Sequence, residues 1–169
     1  MRGALMPDDP TTDNDDSDGA ARGSILAPAP VLFAAAFLIG VLFDRRKPIE
    51  IVPRSATTGV GGFAFVIGTA LFTGAIRRME AAETGPSHED EPATLLTEGP
   101  FAYSRNPIYL GNCLQYLGLS VLYNSAWPVV VLAPLLAYFE RVIDREESYL
   151  ASTFGEEFDR YREAVPRWI

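Results

Sequence analysis

The chain has 169 residues, of which 48% are hydrophobic, and its formal net charge is -8. This acidity argues against a nucleic-acid partner, because binding to phosphates requires concentrated lysine and arginine. The single cysteine, Cys113, excludes an internal disulfide and a cysteine-based zinc site, and its apolar surroundings favour a packed core thiol.

The first 23 residues differ in composition from the rest of the chain. They contain six aspartates, two prolines and almost no large apolar side chains. Such a segment cannot bury enough apolar surface to offset the entropy cost of ordering, so we predict a disordered acidic tail over 1–23. The strongly apolar remainder, 24–169, is predicted to form one domain.

Two uncharged stretches follow the tail, and each is close to the 20 or so apolar residues that a membrane helix needs. The first, 25–43, ends at the basic sequence DRRK, and the second, 57–76, ends at two arginines. In the second stretch, Ala64 and Gly68 are four residues apart, as in close helix packing within lipid. We predict a membrane span for each stretch.

The third apolar region, 108–139, has no charged residue over 32 positions but is interrupted by NSAWP at 124–128. Asparagine and proline there predict a helical hairpin with spans near 107–123 and 126–143. The alternative is a soluble domain with buried helices, but so short a chain would have too little polar surface to cover them. The predicted fold is therefore an all-α integral membrane protein with four spans.

Charge distribution predicts the orientation of these spans. Ten of the fourteen basic residues fall on the side of the two termini, against four in the 44–54 connection. By the positive-inside rule, both termini are predicted to be cytosolic. The expected location is the plasma membrane of a prokaryote. The C-terminal residues Leu150, Phe154, Phe158 and Tyr161 recur at helical spacing, which predicts a cytosolic amphipathic helix.

The stretch GPFAYSRNPIYLGN, 99–112, places polar residues at the start of the third span. Asn106 followed by Pro107 has the form of a helix start, with asparagine as the cap of a first-turn amide and proline at the first helical position. The amides exposed there, with Arg105 beside them, are predicted to attract an anion such as a carboxylate.

A second polar cluster follows the fourth span. Arg141, Glu146 and Glu147 lie where that span leaves the lipid, and ionisable groups at such a depth are costly unless paired or functional. Together the two clusters resemble the isoprenylcysteine carboxyl methyltransferase and phospholipid methyltransferase family. The resemblance rests on GPFxYSRNPxYxG at 99–111, EExxL at 146–150, FG at 154–155 and YxxxVPR at 161–167.

The resemblance implies methyl transfer from S-adenosylmethionine to a lipophilic acceptor, with 144–169 as a cofactor-binding segment. The implied cofactor-binding residues are Tyr103, Arg105, Asn106, Pro107, Tyr109, Leu110, Glu146 and Glu147. Arg105 and the helix amides would hold the cofactor's carboxylate, and the two tyrosines would offer ring faces to its sulfonium. Glu146 or Glu147 would bind the ribose hydroxyls or the amino group.

Two positions depart from the family pattern. Asn106 stands where the family often has histidine, which implies a cap and a cofactor contact but no base. Ala164 stands where an arginine usually precedes Val-Pro and helps to hold a substrate carboxylate. Arg162 or Arg167 is the candidate replacement for that arginine, so we assign them, with Glu147, as catalytic candidates. The only histidine, His88, is predicted to be a surface residue without a catalytic role.

The sequence leaves the acceptor open. The leading class is a prenylated or other small lipophile, and the alternative within enzymes is an ethanolamine phospholipid, whose amine would be methylated. A non-catalytic membrane scaffold or transport subunit is a further alternative. No metal ion is predicted in any of these cases.

Overall fold

The protein is helical throughout the part that the computed structural model describes, residues 28–82 and 94–169. Within these ranges there is no strand, which confirms the all-α class. The helices are α1 (Ala29–Asp44), α2 (Arg54–Ala81), α3 (Pro107–Tyr123), α4 (Ala126–Phe154) and α5 (Glu156–Ala164), with a 3₁₀ helix Gly99–Ala102 before α3. The predicted acidic tail, 1–23, and His88 lie outside the described residues.

Helices α1 to α4 occupy the positions of the four predicted spans. Of the described helices, α2 and α4, with 28 and 29 residues, are long and apolar enough to cross a membrane. Helices α1 and α3 have 16 and 17 residues. At 1.5 Å per residue they measure about 24 and 26 Å, less than the roughly 30 Å of a hydrocarbon core. Helix length therefore supports two spans, and the four-span topology stays a prediction.

The apolar surface of α1 and α2 faces outward to a large extent. Leu38 on α1 is 61% exposed and Phe63 on α2 is 71% exposed. The most apolar window of α2 is only 17% buried inside the chain, whereas the core helix of a soluble protein would be mostly buried. Exposed apolar surface of this kind suits contact with lipid.

Helices α2 and α3 pack along each other through glycines. A Cβ atom added at Gly68 would lie 2.6 Å from the backbone nitrogen of Gln115, and one added at Gly118 would lie 2.6 Å from the backbone nitrogen of Phe65. Gly68 is thus in a close helix contact, as predicted, and Gly61, two turns before it, makes the next one. The absence of side chains at these positions lets the two backbones approach.

This contact makes Gly118→Ala a destabilising change. The added methyl group overpacks the α2–α3 contact, so we expect a loss of about 1–3 kcal/mol in the free energy of unfolding. Gly62→Ala is the matched control, since a Cβ there meets nothing within 4 Å. It should be neutral or stabilising by up to about 1 kcal/mol, because alanine favours helix. Thermal unfolding in detergent checks both, and equal midpoints for the two variants would contradict the assigned contact.

The predicted hairpin turn lies between α3 and α4. Asn124 ends α3 in the left-handed conformation, with φ of 56°, and its Oδ1 accepts hydrogen bonds of 3.1 Å from the backbone amides of Ile51 and Val52. Ser125 caps the start of α4, and its Oγ donates to Asp44 Oδ1 at 2.7 Å. The α1–α2 connection is therefore fastened to the α3–α4 turn. Beyond the turn the backbone of α3 lies mainly along α2 and that of α4 along α1, while large side chains such as Tyr109 and Phe139 connect α3 with α4.

The C-terminal segment is bent where one amphipathic helix was predicted. Helix α4 ends at Phe154, and Gly155, with φ of 52°, turns the chain into the nine-residue α5. Leu150 and Phe154 pack against Phe158 and Tyr161 across this bend. The apolar side of α5 is therefore buried against its own chain. Four elements gather at the end of the molecule opposite the α3–α4 turn and the α1–α2 connection. They are the start of α3, the second half of α4, α5 and the C-terminal tail, residues 165–169.

Candidate active site

The two polar clusters of the sequence meet at this end of the molecule. The backbone amide of Arg105 donates to the carbonyl of Pro166 at 3.0 Å, and Ser104 Oγ donates to the carbonyl of Arg167 at 3.0 Å. These bonds hold the C-terminal tail against the segment that leads into α3. The residues 99–112 and 140–169 thus form one structural unit.

Tyr161 adds a third connection between the clusters. Its hydroxyl donates a 2.7 Å hydrogen bond to the carbonyl of Phe101. Burial raises the pKa of Tyr161 to about 12, so the hydroxyl stays protonated at neutral pH and continues to donate. Tyr161 therefore holds α5 beside the 3₁₀ helix across the physiological pH range.

Arg105 lies at the centre of this unit. Its Nε and Nη2 donate to Glu147 Oε1 at 3.1 and 3.0 Å, and its Nη1 donates to the carbonyls of Arg162 and Val165 at 3.1 and 2.6 Å. The side chains of Arg105 and Glu147 are 10% and 11% exposed. The buried guanidinium therefore links α4 to the C-terminal tail, in addition to any contact with a ligand.

Arg167 approaches Glu147 from the other side. Its Nη2 donates to Glu147 Oε2 at 2.7 Å and its Nη1 donates to Glu140 Oε2 at 2.9 Å. Asp144 Oδ1 also lies 2.9 Å from Nη2. The carboxylate of Glu147, ahead of the other two, raises the pKa of the Arg167 guanidinium above its ordinary value. Glu147 thus joins two arginines that are 62 positions apart in the sequence.

Asn106 and Pro107 begin α3, as the sequence predicts, but the predicted side-chain cap is wrong. The Asn106 side chain makes no capping bond, and its Nδ2 instead donates to the carbonyl of Arg167 at 3.4 Å. The C-terminal tail places the carbonyl of Arg167 beside the side-chain amide of Asn106. The side chain bonds to this carbonyl and makes no bond to the first-turn amides of α3. The first turn of α3 therefore has no side-chain cap.

The two tyrosines that the sequence grouped together lie in different environments. Tyr109 is buried, its ring lies 5.0 Å from that of Phe139, and its hydroxyl donates to Glu146 Oε1 at 2.8 Å. Tyr103 is 77% exposed. Of the predicted pair, Tyr103 has a ring face open to the outside, and Tyr109 positions Glu146. Leu110, on the same helix, is half-buried.

The predicted arginines of the C-terminal segment also differ. The Arg162 side chain pairs with Asp159 at 3.0 Å on the exposed side of α5, and only its carbonyl reaches the site. Arg167 is inside the site. Glu140 and Asp144 were not among the predicted site residues. Glu140, Asp144 and Glu147 follow one another at spacings of four and three residues on one helix. This spacing places the three carboxylates on one face and is the signal that could have found them.

The site has an excess of negative charge. Four carboxylates and two guanidinium groups meet there: Glu140, Asp144, Glu146, Glu147, Arg105 and Arg167. Within residues 28–82 and 94–169, no group of three or more His, Cys, Asp or Glu side chains is arranged to hold a metal ion. The arrangement suits an organic cation that also carries hydrogen-bond donors.

Comparison with known protein families matches residues 57–157 to the model of the phospholipid methyltransferase family. The chain belongs to this family. The matched range contains α3, α4 and most of α2, and with them Arg105, Glu146 and Glu147. The resemblance drawn from the sequence motifs is therefore confirmed.

The curated proteins that are similar to this chain include two types of protein. The protein-S-isoprenylcysteine O-methyltransferase of Schizosaccharomyces pombe is 33% identical over 84 residues, which are 49% of this chain and 36% of the relative. The mouse protein of the same name is 33% identical over 81 residues, 47% of this chain and 29% of the relative. The cobalt-zinc-cadmium resistance protein CzcN of Cupriavidus metallidurans is 39% identical over 77 residues, 45% and 35% of the two chains.

These alignments cover little more than a third of the length of the first relatives. No solved structure matches the chain. Family membership, together with two helices apolar and long enough to cross a membrane, supports a membrane methyltransferase.

Proposed function

We propose that this chain is an integral-membrane enzyme that transfers a methyl group from S-adenosylmethionine to a lipophilic acceptor. The observation that carries the proposal is the buried contact between Arg105 and Glu147, reinforced by Arg167. This contact joins the two clusters of the family motifs at the end of the apolar helices. A buried ion pair is costly to maintain, and one at the mouth of a membrane helix marks a candidate functional site.

The chemistry of the site fits S-adenosylmethionine. The first turn of α3, which lacks a side-chain cap, offers backbone amides to a carboxylate. Glu146 and Glu147 on α4 offer oxygens to an ammonium group or to ribose hydroxyls. The excess negative charge and the exposed ring of Tyr103 suit the sulfonium.

The hydrogen bonds of Arg105 indicate the role that we propose for it. Three of its nitrogens already donate to groups of the chain, so the guanidinium sets the position of Glu147 and of the α3 start. When bound, the cofactor supplies a methyl group that is already activated by the sulfonium. The protein then has to hold donor and acceptor in line and keep water out, and the rigid α3–α4–tail contact serves this alignment.

The proposed acceptor is a prenylated or similar lipophile, in line with the names of the yeast and mouse relatives. One observation favours the alternative acceptor, an ethanolamine phospholipid. Arg167 is engaged by three carboxylates, and Ala164 removes the usual arginine, so a free guanidinium for a substrate carboxylate is lacking among the described site residues. The acceptor therefore has to be tested with both classes.

Titration of the detergent-purified protein with S-adenosylmethionine tests the donor. We expect saturable binding, displaced by S-adenosylhomocysteine. Absence of binding, in an assay that detects a known methyltransferase as control, would overturn the proposal and leave a non-catalytic membrane protein.

Methyl-labelled cofactor then identifies the acceptor. A prenylcysteine analogue and an ethanolamine phospholipid are offered separately in the same detergent. Label in the prenylcysteine carboxyl group supports the leading class, and base-labile release of methanol distinguishes this ester from a methylated amine. Label in the phospholipid alone would show that the acceptor is an ethanolamine phospholipid and would overturn the proposed prenylated acceptor.

A further inference from the structure

The end of the molecule opposite the candidate active site carries an unpaired basic cluster. Arg45, Arg46 and Lys47 follow α1, are exposed, and have no carboxylate partner among residues 28–82 and 94–169. The next basic residue, Arg54, is different, since it pairs with Glu50 at 3.1 Å. Positions 44–54 hold four basic and two acidic residues in a chain whose net charge is -8. This local positive charge therefore needs its own explanation.

Two of these arginines border an apolar groove. A shallow, open groove of about 400 Å³ along one side of α1 is lined by Ile39, Leu42, Phe43, Arg45 and Arg46. The three apolar residues are exposed and continue the outward apolar face of α1. The groove thus has an apolar body and a cationic end, as an anionic amphiphile requires.

The basic end of the groove is held in place by the neighbouring turn. The indole of Trp127 lies 5.6 Å from the ring of Phe43, and its Nε1 donates to the carbonyl of Lys47 at 2.5 Å. The amide of Ala126 donates to the carbonyl of Ile49 at 2.8 Å. The backbone that carries Arg45 and Arg46 is therefore fixed beside the α3–α4 turn.

We propose that this groove binds an anionic phospholipid, with the phosphate at Arg45 and Arg46 and an acyl chain along Ile39 and Leu42. Arginine forms strong charge-assisted hydrogen bonds with phosphate. The carbonyl end of α1 does not attract anions, so the two side chains supply the attraction. The continuity of the groove with the lipid-facing surface favours a lipid over a soluble anion. The proposal concerns the end remote from methyl transfer and does not depend on that activity.

Trp127 is a built-in reporter for the experiment. In a Trp168→Phe background it is the only tryptophan, because the chain has two. The protein is placed in phosphatidylcholine nanodiscs that contain a small, equal fraction of brominated phosphatidylglycerol or brominated phosphatidylcholine. Bromine quenches indole fluorescence on contact. We expect stronger quenching by the anionic lipid, and equal quenching would overturn the proposal.

Two variants test the assigned residues. Arg45→Gln with Arg46→Gln should abolish the preference, with about a fivefold loss of lipid enrichment for each arginine. Arg54→Gln, which alters the paired arginine of the same loop, should keep most of it. Retained preference in the double variant, with unchanged thermal unfolding, would overturn the assignment. Millimolar inorganic phosphate should not relieve the quenching, and relief by phosphate would indicate an anion site without a lipid.

Discussion

Glu147→Gln is expected to cause the largest loss of stability among single site variants. The substitution removes the charge that two guanidinium groups share, and it leaves Arg105 buried beside a neutral amide. Breaking a buried ion pair by changing one partner costs about 3–5 kcal/mol. We therefore expect a clear drop in the thermal unfolding midpoint in detergent, and weaker S-adenosylmethionine binding when titration is carried out well below that midpoint.

Asp144→Asn is the matched control for this prediction. Asp144 lies on the same face of α4 and contacts the same Arg167, but its side chain is 60% exposed. Exposed ion pairs contribute about 0–1 kcal/mol, so the control should unfold close to the unaltered protein. Equal destabilisation by both variants would show that the buried Glu147 is not the centre of the network.

Arg105→Ala is expected to have the largest effect on cofactor affinity. Its loss leaves Glu147 without one of two cations and leaves the carbonyls of Arg162 and Val165 without a donor. The tail and the first turn of α3 then lose their common support. Loss of a charge-assisted bond costs about 1.5–3 kcal/mol, or roughly ten- to a hundredfold in the dissociation constant for S-adenosylmethionine. Titration calorimetry or equilibrium dialysis measures this change.

Two further variants separate charge from geometry. Arg160→Ala removes an arginine of α5 whose Nε donates to the carbonyl of Glu156 within its own helix, and affinity should not change. Arg105→Lys keeps the charge but cannot reach Glu147 and two carbonyls at once, so intermediate affinity is expected. Full affinity in Arg105→Ala would remove this residue from the proposed site.

Helix positions were predictable from the sequence where the signal is local. The Asn-Pro start of α3 and the NSAWP turn depend on backbone preferences of a few residues, and the structure has both. The end of α4 was not predictable in this way. The sequence predicts a span near 126–143 followed by an amphipathic helix, and in the structure α4 continues without a break to Phe154. Its acidic residues there are stabilised by the distant Arg105 and Arg167, which no local pattern reveals.

The candidate site was predictable in its residues more than in its contacts. Motifs identified Arg105, Glu147 and Arg167 separately, but their mutual bonding depends on the return of the tail across α4. The same return explains why Asn106 does not cap α3, because the carbonyl of Arg167 takes its amide. Tyr109, a predicted cofactor contact, packs its ring on Phe139, and the sequence motif gave no sign of this partner. These side-chain contacts depend on which helices and segments pack together in the fold, and the spacing of residues along the chain does not determine that.

The shortness of α1 and α3 has a consequence for the surrounding membrane. In the predicted four-span topology, helices of about 24 and 26 Å would face a hydrocarbon layer of about 30 Å, and local thinning of the bilayer would relieve this hydrophobic mismatch. Such thinning would draw the headgroup level inward to the start of α3. A lipophilic acceptor could then present its reactive end to a water-soluble donor while its hydrocarbon chain stays in the bilayer.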